Sequence, residues 1–339
     1  MKHIVSITLK ILIGLNALYL TGCSSFREVT APTPAFTPTS APTYSVIAPP
    51  TQLPLTGRIA FVSYDIMGNS RINVMNANGS GLMDITPPNP PRNIEFLSWS
   101  PDGQYIAFDA WKDGRGRIFK IKPDGSSLTQ LTFGNVGGMM PSWSPDGKSI
   151  MFASSDQDIL DNSGSPAMQI YIMNSDGSGM RRFVVKTKPD NTTMTGSYRK
   201  DGLIAVEEPI TRYAVTNYIV NSEGVIQNQF PEFSTDLPVD WSPDGKYVAY
   251  YRGYRVPGCF GIVIMKFDQS EQKCLMDQQP NSSVYFSQIS WLPDGNYILF
   301  SSNLDGDYDF YVIRSDGSGL TQLTDIPGHE GWAVWWSAP

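Results

Sequence analysis

From residue 57 onward, short apolar runs alternate with turn residues, and the whole pattern recurs. The run Trp99-Ser100-Pro101-Asp102-Gly103-Gln104-Tyr105-Ile106-Ala107-Phe108 returns as Trp143-Ser144-Pro145-Asp146-Gly147-Lys148-Ser149-Ile150-Met151-Phe152. Residues 241–250 and 291–300 carry it again, with Leu292 in the serine position, and a worn copy runs from Tyr198 through Asp201-Gly202 to Val206. After a loop, each copy leads to a second apolar run closed by Asn- or Asp-Gly-Ser, as at residues 72–81, 118–125, 170–179 and 310–319. A short strand such as Thr129-Gln130-Leu131-Thr132 follows. Asp-Gly between alternating runs signals a hairpin, because glycine accepts positive φ without a Cβ clash. Two hairpins per repeat predict one four-stranded antiparallel sheet.

One such sheet has apolar faces that it cannot cover alone, whereas several stacked around an axis cover one another. The aromatic slots at Trp99, Trp143, Tyr198, Trp241, Trp291 and Trp336 number six. The expected fold is therefore all-β: a six-bladed β-propeller of four-stranded antiparallel sheets over residues 56–339. Blade one starts at Arg58-Ile59-Ala60-Phe61 without a tryptophan strand of its own. The last residues, Ala333-Val334-Trp335-Trp336-Ser337-Ala338-Pro339, read as that missing strand, so the C-terminus is expected to close the ring and remove an open edge.

The repeat, together with Asp309-Phe310-Tyr311-Val312 and Asp316-Gly317-Ser318-Gly319-Leu320-Thr321-Gln322-Leu323-Thr324, resembles the TolB-type propeller repeat over about residues 57–339. The resemblance implies the propeller fold; the repeat is used by many proteins and does not by itself assign a role. TolB-type proteins place an α/β domain ahead of the propeller, where this chain has a different kind of segment.

Residues 1–22 read as a signal peptide, with Lys2 and Lys10 around an apolar run at 11–20 that is too short to span a bilayer. The run ends in Leu20-Thr21-Gly22-Cys23, which resembles the bacterial lipoprotein signal and implies lipidation of Cys23. Residues 23–55, rich in Pro, Thr, Ala and Ser, lack hydrophobic periodicity and read as a semi-stiff tether. The expected location is extracytoplasmic, with the membrane reached through the lipid anchor alone. A net charge of −7 and the lack of any basic cluster argue against nucleic acid.

The chemistry visible in the sequence is sparse. The repeated Asp102, Asp146, Asp201, Asp244 and Asp294 occupy the same turn in every copy, where aspartate bonds local N–H groups. Beyond the signal the one histidine is His329, and no Gly-x-Ser-x-Gly elbow occurs, so no catalytic constellation is visible and an enzyme is not expected. No cofactor is expected except a structural calcium ion. Asp305, Asp307 and Asp309 alternate in a glycine-containing loop that could supply its oxygen ligands, though a solvated turn has the same composition. Cys259 and Cys274 are candidates for a disulfide. Aligning residues 268–271 with the Asp-Gly-Ser-Gly turn places Cys274 opposite Met265, a register that counts against the bond.

Both hairpin turns of each unit fall on one face of the disc; the variable connections fall on the other, where binding groups are commonly carried. On that loop face the candidates for contact with a partner include Trp111, Arg212, Tyr213, Arg252 and Tyr254. Arg255, Tyr285, His329 and Trp332 complete the set, with Met139 and Met140 nearby. Tyr, Trp and Arg are the residue types enriched at interface hot spots. The reading is a protein-binding or scaffolding module with an envelope protein partner; the alternative is a carbohydrate-binding or carbohydrate-active propeller.

Overall fold

The computed structural model describes residues 55–337 apart from 66, 161–165, 187, 189–193, 212–213, 230–239, 253–260, 269, 278–285 and 326–328. Cys23 and nearly all of the tether lie outside the described residues. Within them the chain forms six four-stranded antiparallel sheets and no helix. Blade 2 is typical: Leu97–Trp99, Ile106–Lys112, Arg115–Ile121 and Thr129–Gln130, from the axis outward. Inner strands of successive blades meet around the axis, as His329–Trp336 does with Leu97–Trp99 on one side and Phe286–Trp291 on the other.

Period-two alternation sends successive side chains of each middle strand to opposite neighbours. Ile106 and Phe108 enter a cluster shared with Ala60 and Ile72 of blade 1, whereas Ala107 joins Phe152 and Met173 of blade 3. Each of the six blade junctions holds such a cluster, including the one where Leu299 and Phe310 of blade 6 meet Ile59 and Phe61 of blade 1. The ring is therefore sealed by the same apolar packing throughout.

The tail is the innermost strand of blade 1, as expected, in the order His329–Trp336, Arg58–Tyr64, Ser70–Asn76, Met83–Asp84. The register corrects one detail. Trp335 pairs with Ile59 as Trp99 pairs with Ile106, so Trp335 and not Trp336 fills the aromatic slot. Trp336 stands one position on and reaches across to blade 2, where its indole donates to the Pro101 carbonyl at 3.0 Å. Any Cβ at Gly103 would lie 2.4 Å from that ring. Gly103 is thus required twice, by its φ of +68° and by the tryptophan above it.

Inner strands have an unpaired edge, and side chains from the preceding blade cover part of it. The Trp143 N–H donates to Ser98 Oγ (3.1 Å), Tyr198 N–H to Ser142 Oγ (2.9 Å) and Trp291 N–H to Asp240 Oδ2 (2.7 Å). Each donor belongs to the aromatic slot, and each acceptor stands just before the slot of the preceding blade. The backbone requirement that polar groups be satisfied is met between blades rather than within them.

Candidate functional site

The turn face behaves as the sequence predicts. Ser144 Oγ donates to Asp146 Oδ1 (2.7 Å) and accepts the Ser149 N–H (2.9 Å), while Asp146 Oδ1 accepts the Lys148 N–H (3.0 Å). Blades 2 and 5 repeat the set at Ser100–Asp102 and Ser242–Asp244. These bonds, first the serine hydroxyl, lower the pKa of Asp146 and Asp244. Blade 4 departs from the pattern: Arg199 replaces the serine, pairs with Asp201 at 2.7 Å and lays its guanidinium 4.3 Å from the Trp241 ring of blade 5.

The loop face is built differently. Trp332, Met140 and Gln288 each stand three residues before an aromatic slot, and each has left-handed backbone, with φ of +52°, +55° and +42°. The inner-strand register shifts at all three places. Such a bulge re-aims a side chain, and the conformation costs a non-glycine residue about 1–2 kcal/mol. Three equivalent bulges at the loop-face ends of inner strands make this rim the strained part of the disc, and strain of this kind gathers at functional sites.

Around the Trp332 bulge the groups of three blades meet. The Trp332 ring lies on Phe96 of blade 2, with centroids 3.9 Å apart, and its side chain hydrogen-bonds Tyr64. All three aromatics are half-buried. Beside them stand Glu95 and Asp109, and the Glu95 N–H donates to the Asp109 carbonyl at 3.1 Å. Asp109 is 4% exposed, and its carboxyl accepts the N–H of Met140, the blade 3 bulge residue, and that of Phe96. Its Oδ1 has no partner. Burial pushes the Glu95 carboxyl up to about 7 and Asp109 well above the carboxylate range, with the charge of Glu95 adding to the latter. Burial also raises Tyr64, helped by both acids. The result is an aromatic platform edged by carboxyls that hold their protons near neutral pH.

Two further acids on this face are alike. Burial lifts Glu207 to about 7 and Glu330, which is 1% exposed, to about 8. Asp109 and Glu207 occupy the same slot of the second strand, which holds Val62, Ala153, Tyr251 and Ser301 in the other blades. Sequence reading passed over Tyr64, Glu95, Asp109, Glu207 and Glu330. An acid in an otherwise uncharged slot was the available signal for two of them.

Of the expected partner-binding residues, Trp332 is central. Trp111 is half-buried at the blade 2 hairpin, its backbone bonded both ways to Arg92 (2.6 and 3.1 Å). Arg212, Tyr213, Tyr254, Arg255 and Tyr285 lie outside the described residues, as do the side chains of Arg252 and His329. Asp305, Asp307 and Asp309 do converge, with carboxylate oxygens all within 4.8 Å of one another. Cys274 is disulfide-bonded; Cys259 lies outside the described residues. The register expected there is corrected, since Cys274 sits opposite Val263 and Gln272 opposite Met265. The turn is centred on Asp268, so the residue opposite Cys274 is two positions nearer to Cys259 in sequence than expected.

Comparison with known proteins agrees with this architecture. A solved structure, TolB from Acinetobacter baumannii, superposes with a TM-score of 0.64 at 18% identity, covering 83% of this chain and 67% of that one. The Tol-Pal system protein TolB of Francisella tularensis subsp. mediasiatica is 23% identical over 243 residues, 67% of this chain and 52% of the relative. An uncharacterized protein of Agrobacterium fabrum is 28% identical over 104 residues, 31% of this chain and 36% of its own. The chain thus spans about a third to a half of the length of these two relatives. The TolB beta propeller domain matches at residues 37–162 and 98–253, and on that match, with the six blades described above, the chain belongs to the TolB β-propeller family.

Proposed function

We propose that this protein is a lipid-anchored, extracytoplasmic binding module that captures an envelope protein on its loop face, around Trp332, Tyr64 and Phe96. The observation that carries the reading is the set of three equivalent left-handed bulges, one of which presents the half-exposed Trp332 ring over Phe96. Strained backbone holding an aromatic at the rim is a preorganised anchor, and a large ring held rigid loses little entropy on binding. The neutral carboxyls beside it fit an apolar or hydrogen-bonding surface better than a basic one. The relatives named for the Tol-Pal system support the choice of an envelope protein as partner. Lipidation of Cys23 and the tether would hold the disc clear of the membrane.

A photo-crosslinking residue at Arg92 or Trp111 on the loop face, compared with one at Lys148 or Asp124 on the turn face, tests this in intact cells. Discrete protein adducts are expected from the first pair only. Adducts from the turn-face pair alone would overturn the proposal. The same platform suits a sugar ring stacked on Trp332, and this second reading would show as glycan-array binding that W332A abolishes.

A further inference from the structure

The carboxylates of blade 6 point to a site that does not depend on the partner. The loop-face hairpin between Tyr297–Ser302 and Asp309–Arg314 gathers Asp305, Asp307 and Asp309, the last fully buried. Neutral groups meet this charge: Gln322 Nε2 donates to Asp305 at 2.6 Å and to Asp309 at 3.2 Å, and the Tyr311 hydroxyl bonds Asp305. A fourth carboxyl arrives from a different blade. Glu330 is on the closing strand, and its N–H donates to the Tyr308 carbonyl at 3.2 Å, inside the acidic hairpin. Thr324 Oγ1, which accepts the Phe310 N–H at 2.8 Å, bonds one oxygen of Glu330. The other oxygen, Oε1, is buried without any partner, in a side chain near enough to Asp309 and Asp307 for their charges to act on it. A buried carboxylate oxygen left without a donor is costly unless something positive meets it.

We propose that blade 6 binds a calcium ion between Asp305, Asp307 and Asp309, with Glu330 Oε1 completing the site from the closing strand. Oxygens bound to one Ca²⁺ at about 2.3–2.6 Å lie at most about 5 Å apart, whereas Mg²⁺, at about 2.1 Å, needs them within about 4 Å. The three aspartate oxygens, all within 4.8 Å of one another, lie inside the calcium limit. Because Glu330 belongs to the last strand and the aspartates to blade 6, the ion bridges the two segments that meet where the ring closes. Calcium then reinforces the same seam that the apolar cluster of Phe310 and Phe61 seals.

The test uses full-length mature protein stripped with EDTA, titrated with CaCl₂ by calorimetry and scanned thermally. One saturable equivalent is expected, with a dissociation constant on the order of 10⁻⁴ M or tighter. The Tm should rise by several degrees at saturation, and MgCl₂ at the same concentration should do far less. D305N/D307N changes two exposed side chains, so it should leave the calcium-free Tm no lower while removing the calcium-induced shift. E330Q should weaken calcium at least tenfold. No saturable calcium uptake up to about 10 mM by the wild type would overturn the site. So would a calcium shift retained in D305N/D307N, and unchanged affinity in E330Q would remove the closing strand from it.

Discussion

The two faces of this disc use the same residue types for opposite ends. On the turn face, exposed aspartates such as Asp146, Asp176 and Asp316 are held ionised by neighbouring serine hydroxyls and N–H groups, which lower their pKa. On the loop face, burial raises the pKa of Glu95, Asp109, Glu207 and Glu330, so that without a cation they take up protons far more readily. A local turn supplies its own donors, so its acid costs nothing to ionise. An acid set into the wall between blades must find donors on another blade, and only some of them do. The turn face is therefore a set of self-sufficient units, and the loop face is a place where blades depend on one another.

The closing strand belongs to both faces, so removing it should do the most damage. Trp336 caps the blade 2 turn, Trp332 forms the aromatic platform and Glu330 reaches into blade 6. Deleting residues 331–339 opens the inner edge of blade 1 and strips apolar cover from two junctions. Burying a tryptophan fully stabilises by up to about 4–6 kcal/mol, and Trp335 and Trp336 are each partly buried. Differential scanning calorimetry should show a Tm at least about 10 °C lower, or loss of a single cooperative transition. W336A, which removes the cap of the blade 2 turn and part of the cover of the blade 1–2 cluster, should cost about 2–3 kcal/mol. A deletion that melts like the intact protein would mean that the ring does not depend on its last strand.

Most of the architecture is legible because the repeat states it six times. Asp-Gly turns, period-two alternation and the count of aromatic slots are local signals, and each is met in the structure. The misassigned slot, Trp336 in place of Trp335, arose because the tail lacks the Pro-Asp-Gly turn that anchors the alignment elsewhere. The loop face was less legible for a different reason. Trp332 could be named as an exposed-type aromatic, but its left-handed backbone and its contact with Phe96 follow from the bulge and from the neighbouring blade. Tyr64, Glu95 and Asp109 come together across a junction, and a single chain read in order does not display junctions. Reading the repeats slot by slot would have exposed Asp109 and Glu207, the two acids in a position that is uncharged in the other four blades.

The contrast in protonation gives the next largest effect, and its sign differs between the faces. A carboxyl whose folded pKa is raised binds a proton in the folded state that the unfolded chain has lost. Its contribution is full below the unfolded value and declines as pH rises to the folded one. For Glu95 and Glu207, raised to about 7, and Glu330, raised to about 8, that window runs from about pH 4.5 to 8. The turn-face aspartates act in reverse: their contribution is present above the unfolded value and is lost as pH falls through their lowered pKa values. Stability in EDTA should therefore peak near pH 5 and fall toward pH 8.5, by at least about 5 °C in Tm. Raising one carboxyl's pKa tenfold in proton affinity corresponds to about 1.4 kcal/mol, less whatever the folded protein recovers by relaxing around the charge. The triple variant E95Q/E207Q/E330Q should shrink the alkaline limb to the share that belongs to Asp109 and leave the acidic limb in place. If the wild-type profile instead climbs steadily from pH 5 to 8.5, these acids are ionised in the folded protein and the contrast fails.

The smallest effect is the most direct measure of how independent the turns are. S144A removes one donor to Asp146 and the acceptor of the Ser149 N–H, and should cost about 1 kcal/mol in chemical denaturation. S242A should cost the same, because blade 5 repeats the geometry with Asp244 and the Tyr247 N–H. The two serines share no partner, so S144A/S242A should equal the sum of the single changes to within about 0.5 kcal/mol. Blade 6 already runs this experiment in nature: Leu292 stands in the serine slot, yet Asp294 Oδ1 still accepts the Asn296 N–H at 2.9 Å and the turn closes. A turn that survives without its serine is a unit that needs only its aspartate and glycine. Strong coupling between the two serine variants would show that the turn face, too, is a connected surface, and the difference between the faces would then be one of charge alone.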